Sequence, residues 1–115
     1  MAGLTTFNSE PKSPMYAISI DLDLLKLRLL SLASSDTPYT LEDAYTDIAE
    51  ILVSLDFKMG NGICIYWGNK SINAVTCVLA AQKLAKDLPW FSKCLKHCRM
   101  FRIVEQTDLM AAILI

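Results

Sequence analysis

At 115 residues the chain amounts to one domain, long enough for a single apolar core without obligatory cross-links. Its 53 % apolar content suits a small domain that also buries an oligomer surface, yet no apolar run reaches the ~18 residues of a membrane-spanning helix. The net charge of −1 hides a lopsided distribution: residues 1–57 carry three basic and nine acidic side chains, whereas residues 58–102 carry eight basic side chains and one acid, Asp87. Such a basic half is the electrostatic footprint of a polyanion binder. Attraction between the two halves, within a monomer or a dimer, explains it equally well.

Residues 1–14 hold Thr, Ser, Asn, Pro and Gly with a single lysine, which reads as a flexible tail and as neither a signal nor a transit peptide. Residues 15–115 form the single folded domain. It opens with the run Met15–Asp23, in which Tyr16, Ile18 and Ile20 alternate with Ala17 and Ser19, the pattern of a strand with one bulky and one small face. Asp21 falls on the small face as the strand runs out. Leu24–Ala33 is apolar with an ambiguous period, so a strand continuation and a short helix both fit. Residues 34–38 are a loop. A helix over Leu41–Leu55 follows, with Thr40 as cap, Glu42 and Asp43 in its first turn, and Ala44, Ile48, Ile51, Leu52 and Leu55 on one face. Phe57-Lys58-Met59 starts a strand, Gly60-Asn61-Gly62 turns the chain, and Ile63–Trp67 is the next strand. Ser71 is positioned to cap a helix from Ile72 to about Lys86. Pro89 starts another helical turn through Trp90, Phe91 and Leu95. Arg99–Val104 is the last strand, and Asp108–Leu114 is a terminal helix capped by Thr107.

That order predicts an α+β fold: a modified ferredoxin-like (split βαβ) sandwich, with a four-stranded antiparallel sheet, helices on one face and an extra C-terminal helix. No internal repeat, phosphate loop, nucleophile elbow, zinc-protease helix or dinucleotide fingerprint occurs. The four cysteines read as reduced, with Cys64 and Cys77 as small core residues. Cys94, His97 and Cys98 offer metal-ligand spacing but lack a fourth ligand. His97 is the only histidine, which excludes a ribonuclease built on two histidines; acid–base work is open to it, but amid Lys96 and Arg99 at a helix–strand junction it reads as a surface residue. Asp21 and Asp23, two apart at a strand end, can hold Mg²⁺ or Mn²⁺, or one can serve as a general base. The structural alternative is that Asp23 caps the next segment and Asp21 accepts backbone N–H groups. Arg99 and Arg102, three apart on a strand, point to opposite sheet faces, with Phe101 and Ile103 beside Arg99 and Met100 and Val104 beside Arg102.

The blocks MYAISIDLD, AYTDIAEIL, Asn61-Gly62, Pro89-Trp90-Phe91-Ser92 and CRMFRIVEQTDL occur in the order seen in virulence-associated protein D (VapD), and the chain resembles that family over about Met15–Leu114. The resemblance implies a ferredoxin-like domain that dimerises through its sheet. It also implies a bacterial endoribonuclease, a hydrolase acting on RNA phosphodiester bonds, in some cases the toxin of a toxin–antitoxin pair. Asp21 matches the family's acid after the first strand, Tyr45 its helix tyrosine, Arg99, Phe101 and Arg102 its Arg-x-Phe-Arg/Lys strand, and Asp108 the acid that opens its last helix. The family's Gln-Gly-Ser turn reads Asn61-Gly62-Ile63 here, and the tyrosine expected just after it is Ile65, with Tyr66 displaced to the opposite side.

Two functions follow from these readings. In the first, the chain is a homodimeric endoribonuclease. Asp21 is its general base or metal ligand (Mg²⁺ or Mn²⁺), Arg99 or Arg102 stabilises charge on phosphorus, and Asn61, Gly62 and Tyr45 hold substrate while Lys58, Lys70 and Lys96 attract RNA. Its setting is the bacterial cytoplasm, or a host cell into which it is delivered. In the second, the chain is a catalytically weak or inactive module of the same fold that binds a protein partner, such as an antitoxin, or nucleic acid. In that case the apolar Leu24–Ala33 segment is part of the docking surface.

Overall fold

The computed structural model describes residues 15–34, 39–60, 64–104 and 109–114. The tail at 1–14, the turn residues Asn61, Gly62 and Ile63, and the Thr107–Asp108 helix start lie outside the described residues. The elements run β1 (Met15–Leu22), α1 (Leu24–Ser34), α2 (Leu41–Ser54), β2 (Phe57–Met59), β3 (Ile65–Gly68), α3 (Ala74–Asp87), α4 (Phe91–Cys94), β4 (Leu95–Ile103) and α5 (Met110–Ile113). The strands form one sheet in the order β2-β3-β1-β4, every neighbouring pair antiparallel. This is the order of a ferredoxin-like sandwich, with α1 added between β1 and the first crossover helix.

The alternation in β1 sets the two faces of the sheet. Ile18, Ile20 and Leu22 are buried against Ala44, Tyr45, Ile48 and Leu52 of α2 and Cys77, Ala80 and Leu84 of α3, in one core that also takes in Phe57, Tyr66 and Phe91. Enclosing each large member of that core, such as Ile20, Ile48, Leu52 or Leu84, contributes ~1.5–3 kcal/mol. Ala17, Ser19 and Asp21 face the opposite way. Ala17 is buried, but outside the helix-side core.

Local chemistry decides the helix boundaries. The ambiguous Leu24–Ala33 segment is helical because Asp23 caps it: its Oδ1 accepts the Lys26 N–H at 3.0 Å and its carbonyl the Leu27 N–H at 3.0 Å. In α2, Thr40 and Asp43 form a reciprocal capping box, as the sequence indicates. Ser71 does not cap α3. Its N–H and hydroxyl both donate to Asn69 Oδ1 in the preceding turn, and Asn73 makes the capping box with Thr76 instead. The last strand begins at Leu95, four residues before Arg99, because β1 pairs with it along its length and draws Lys96, His97 and Cys98 into the sheet.

Candidate active site

Antiparallel pairing places cross-strand partners on the same face, with Cβ atoms ~4.5–5.5 Å apart. The partners of Ala17, Ser19 and Asp21 are Phe101, Arg99 and His97 in β4, and on the other side Ala17 and Ser19 pair with Trp67 and Ile65 in β3. Lys58 of β2 pairs with Trp67 and joins the same face. The helix-free face thus carries an acid, an imidazole and a guanidinium at one end, with aromatic and apolar side chains behind them. Asp21 is half-buried; His97 and Arg99 are exposed.

The register breaks at this point. Asp21 pairs with His97 but Leu22 pairs with Leu95, so Lys96 is left unpaired in a bulge beside the acid. Bulges of this kind bend a strand and re-aim side chains, and they are over-represented next to active sites. On the face itself, Arg99 Nη2 lies 3.5 Å from His97 Nδ1.

Beneath β1, on the core side, Tyr45 is 6 % exposed. Its hydroxyl oxygen accepts the Leu22 N–H at 3.2 Å and the Cys64 thiol at 3.7 Å. Burial pushes the phenol up to about 12, opposed by the Leu22 N–H and reinforced by Cys64 and by the nearby Asp21 charge. Tyr45 therefore anchors the end of β1 from below and does not share Asp21's face. Asp23 is separated from Asp21 by its capping role, and its backbone N–H donates to Cys94 O at 2.7 Å. The two acids do not form a pair.

Two of the basic candidates lie elsewhere. Arg102 pairs with Tyr16, which puts it on the helix side of the sheet and five residues from Asp21 along β1, about 17 Å at strand rise. Lys70 is exposed in the turn after β3, whose Gly68 end lies near the start of β1, far from Asp21. Asn61 and Gly62 fall outside the described residues. Cys94 and Cys98 do not converge with His97: Cys94 is buried in α4, Cys98 packs against the core, and His97 faces the other way. Burial raises both thiols. Among the described residues no group of three or more His, Cys, Asp or Glu side chains could hold a metal ion.

His97 is open to acid–base work by residue type, and what the sequence does not show is its place opposite Asp21. A strand starting at Arg99 leaves it on a helix end. Extending the alternation Arg99, His97 back by one step would have set it opposite Asp21.

No family model matches the chain. Among curated proteins it is 41 % identical over 99 residues to the "Endoribonuclease VapD homolog" of Helicobacter pylori, covering 86 % of this chain and 96 % of that protein. It is 39 % identical over 99 residues to "Endoribonuclease VapD 2" of Riemerella anatipestifer, covering 86 % of this chain and 99 % of the relative.

Proposed function

The chain belongs to the VapD family of endoribonucleases, and from that premise we propose that it cleaves RNA phosphodiester bonds at the Asp21 end of the open sheet face. The observation that carries the assignment of residues is the register: Asp21 and Arg99 lie on one face, diagonal to each other across β1 and β4, ~7–8 Å apart at the backbone. A phosphate seated between them meets a base for the 2′-hydroxyl on one side and a charge-stabilising donor on the other. Lys96 at the bulge supplies attraction beside Asp21, and Lys58, on the same face but level with Ala17, supplies it four residues further along the sheet. Tyr45 is a positioning residue, holding the end of β1 through Leu22 N–H.

The donor set suits base catalysis better than a cation cage. Asp23 is committed to capping α1, so Mg²⁺ or Mn²⁺ at Asp21 would depend on water and RNA phosphates for its remaining ligands. Asp21→Asn compared with wild type on a mixed RNA, with and without EDTA, tests both points. Cleavage should fall by ~10²–10⁴-fold in the variant. Equal cleavage by the two proteins removes Asp21 from the mechanism, and loss of wild-type activity in EDTA makes the reaction metal-dependent.

A homodimer through the Ala17 end of the open face, leaving the Asp21 end open to RNA, fits the exposed Phe101 at 46 %. Light scattering of wild type and Phe101→Lys should show a dimer and a monomer respectively. No helix among the described residues is long and apolar enough to cross a membrane. The bacterial cytoplasm, or a host cell receiving the protein, is where it would meet RNA.

A docking role, for an antitoxin or another protein, has its own observation. The outer side of α1 exposes Leu25, Leu29 and Leu32, beside a groove of about 450 Å³ lined by Leu24, Leu27, Ser31, Tyr39 and Leu41. Lysine at Leu25, Leu29 and Leu32 should abolish association with such a partner and leave RNA cleavage intact.

A further inference from the structure

We propose that His97 is the general acid of the cleavage reaction, protonating the departing 5′-oxygen while Asp21 takes the 2′-hydroxyl proton. The proposal rests on the endoribonuclease reading above and adds the second proton-transfer group that the reading lacks. Two features of the fold point to it. His97 is the direct cross-strand partner of Asp21 on the face without helices, and the bulge at Lys96 lies immediately beside the pair. Neighbouring Cβ atoms at ~4.5–5.5 Å let an imidazole and a carboxylate diverge around one phosphate, so that attack and departure proceed on opposite sides of phosphorus.

The chemistry balances without a further reactant. Asp21 accepts the 2′-hydroxyl proton, the 2′-oxygen forms a bond to phosphorus, and the bond from phosphorus to the 5′-oxygen breaks as His97 donates its proton to that oxygen. The products are a 2′,3′-cyclic phosphate and a 5′-hydroxyl end. Arg99 links the two roles. A guanidinium has donors only, so at 3.5 Å its Nη2 meets His97 Nδ1 as an acceptor. When Arg99 turns to the phosphate, Nδ1 is released from that contact and is free to carry the proton that His97 donates. The groups facing His97 are Asp21 from β1 and, on its own strand, Arg99, with Lys96 next to it in the bulge.

The test uses full-length protein and two dinucleotide substrates, one with the natural 5′-oxygen and one with sulfur in that bridging position. A thiolate departs without protonation. His97→Ala should cleave the natural substrate ~10²–10³-fold more slowly than wild type, and the 5′-thio substrate within a few-fold of wild type. Asp21→Asn should remain slow on both. The alkaline limb of the pH–rate profile should vanish in His97→Ala. His97 is exposed, so the variant should keep the wild-type circular dichroism spectrum and melting temperature, and His97→Gln provides a second, more conservative variant. Wild-type activity of both His97 variants on natural RNA, or an equal defect on the two substrates, overturns the proposal. Cleavage by wild type of neither these substrates nor a mixed RNA would overturn the endoribonuclease reading itself, a distinct outcome.

Discussion

Arg99 and Arg102 carry the same charge on the same strand, yet one lies beside Ser19 on the open face and the other beside Tyr16 toward the helices. Charge stabilisation at the phosphate depends on where the donor points, because a group aimed at the wrong face contributes only long-range attraction. Arg99→Ala should therefore lower kcat by ~10²–10³-fold, whereas Arg102→Ala should change RNA affinity a few-fold and leave kcat alone; single-turnover kinetics separate the two. Tyr45 makes a different prediction. Tyr45→Phe strands the buried Leu22 N–H, at a cost of ~1–3 kcal/mol. The sign of its pH effect follows from burial. The folded phenol is raised to about 12 from an ordinary 10.0. Its contribution is complete below pH 10 and is lost as pH rises toward 12, where only the unfolded chain ionises readily. Tyr39, which bonds Asp47, and Tyr66 are raised in the same direction by burial. Denaturant melts from pH 9 to 12 should show stability falling, with a shallower fall in Tyr45→Phe.

At the level of elements, what the sequence disclosed and what it withheld have separable causes. The Thr40 cap and the amphipathic α2 were legible because every determinant lies within one helical turn or one helical face. The α1 segment was ambiguous by periodicity, and a single local contact from Asp23 resolved it. Ser71 and Asn73 are both capping residues by type. What separates them is that Asn69 already occupies the N–H and hydroxyl of Ser71. Asn73→Ala should thus cost ~0.5–2 kcal/mol, while Ser71→Ala should stay within ~0.5 kcal/mol of wild type, as thermal or urea melts can show. The start of β4 was not legible, because pairing with β1, eighty residues away, makes a strand of Leu95–Cys98. The same pairing creates the candidate site. Asp21 was visible as an acid at a strand end, but its partner His97 exists only through the register. Packing sets a further constraint at Gly68, where a Cβ would lie 2.7 Å from Ile72 Cβ. Gly68→Ala should cost ~1–3 kcal/mol by overcrowding the β3–α3 connection.

Over the whole molecule, the fold divides the basic half of the sequence between the two sides of the sheet. Glu42, Asp43 and Glu50 lie exposed on α2; Lys83 and Lys86 on α3, Lys93 on α4 and Arg102 lie exposed on the helix side as well, whereas Lys58 and Arg99 lie on the open side of the sheet and Lys96 at its β4 edge. The two halves do not neutralise each other by contact. Among the described residues the salt bridge formed is local, Lys83 to Asp87 at 3.0 Å within α3. The polyanion reading therefore rests on the lack of an ion pair between the halves among the described residues, and counterion release makes it measurable. For single-stranded nucleic acid the slope of log Kobs against log salt is about −0.7 for each phosphate neutralised. In an Asp21→Asn background, which binds RNA without consuming it, alanine at Lys58, Lys70 and Lys96 together should flatten that slope by about 2. Lys96→Ala, beside Asp21, should flatten it by about 0.7 alone, and Lys58→Ala and Lys70→Ala, both toward the Ala17 end of the sheet, measure how far the RNA path extends. Gln at Glu42 and Glu50 should leave the slope unaltered, because those acids face away from the RNA path. An unchanged slope in the lysine variant would return the asymmetry to a structural role and leave Arg99 to hold the phosphate without help from the lysines.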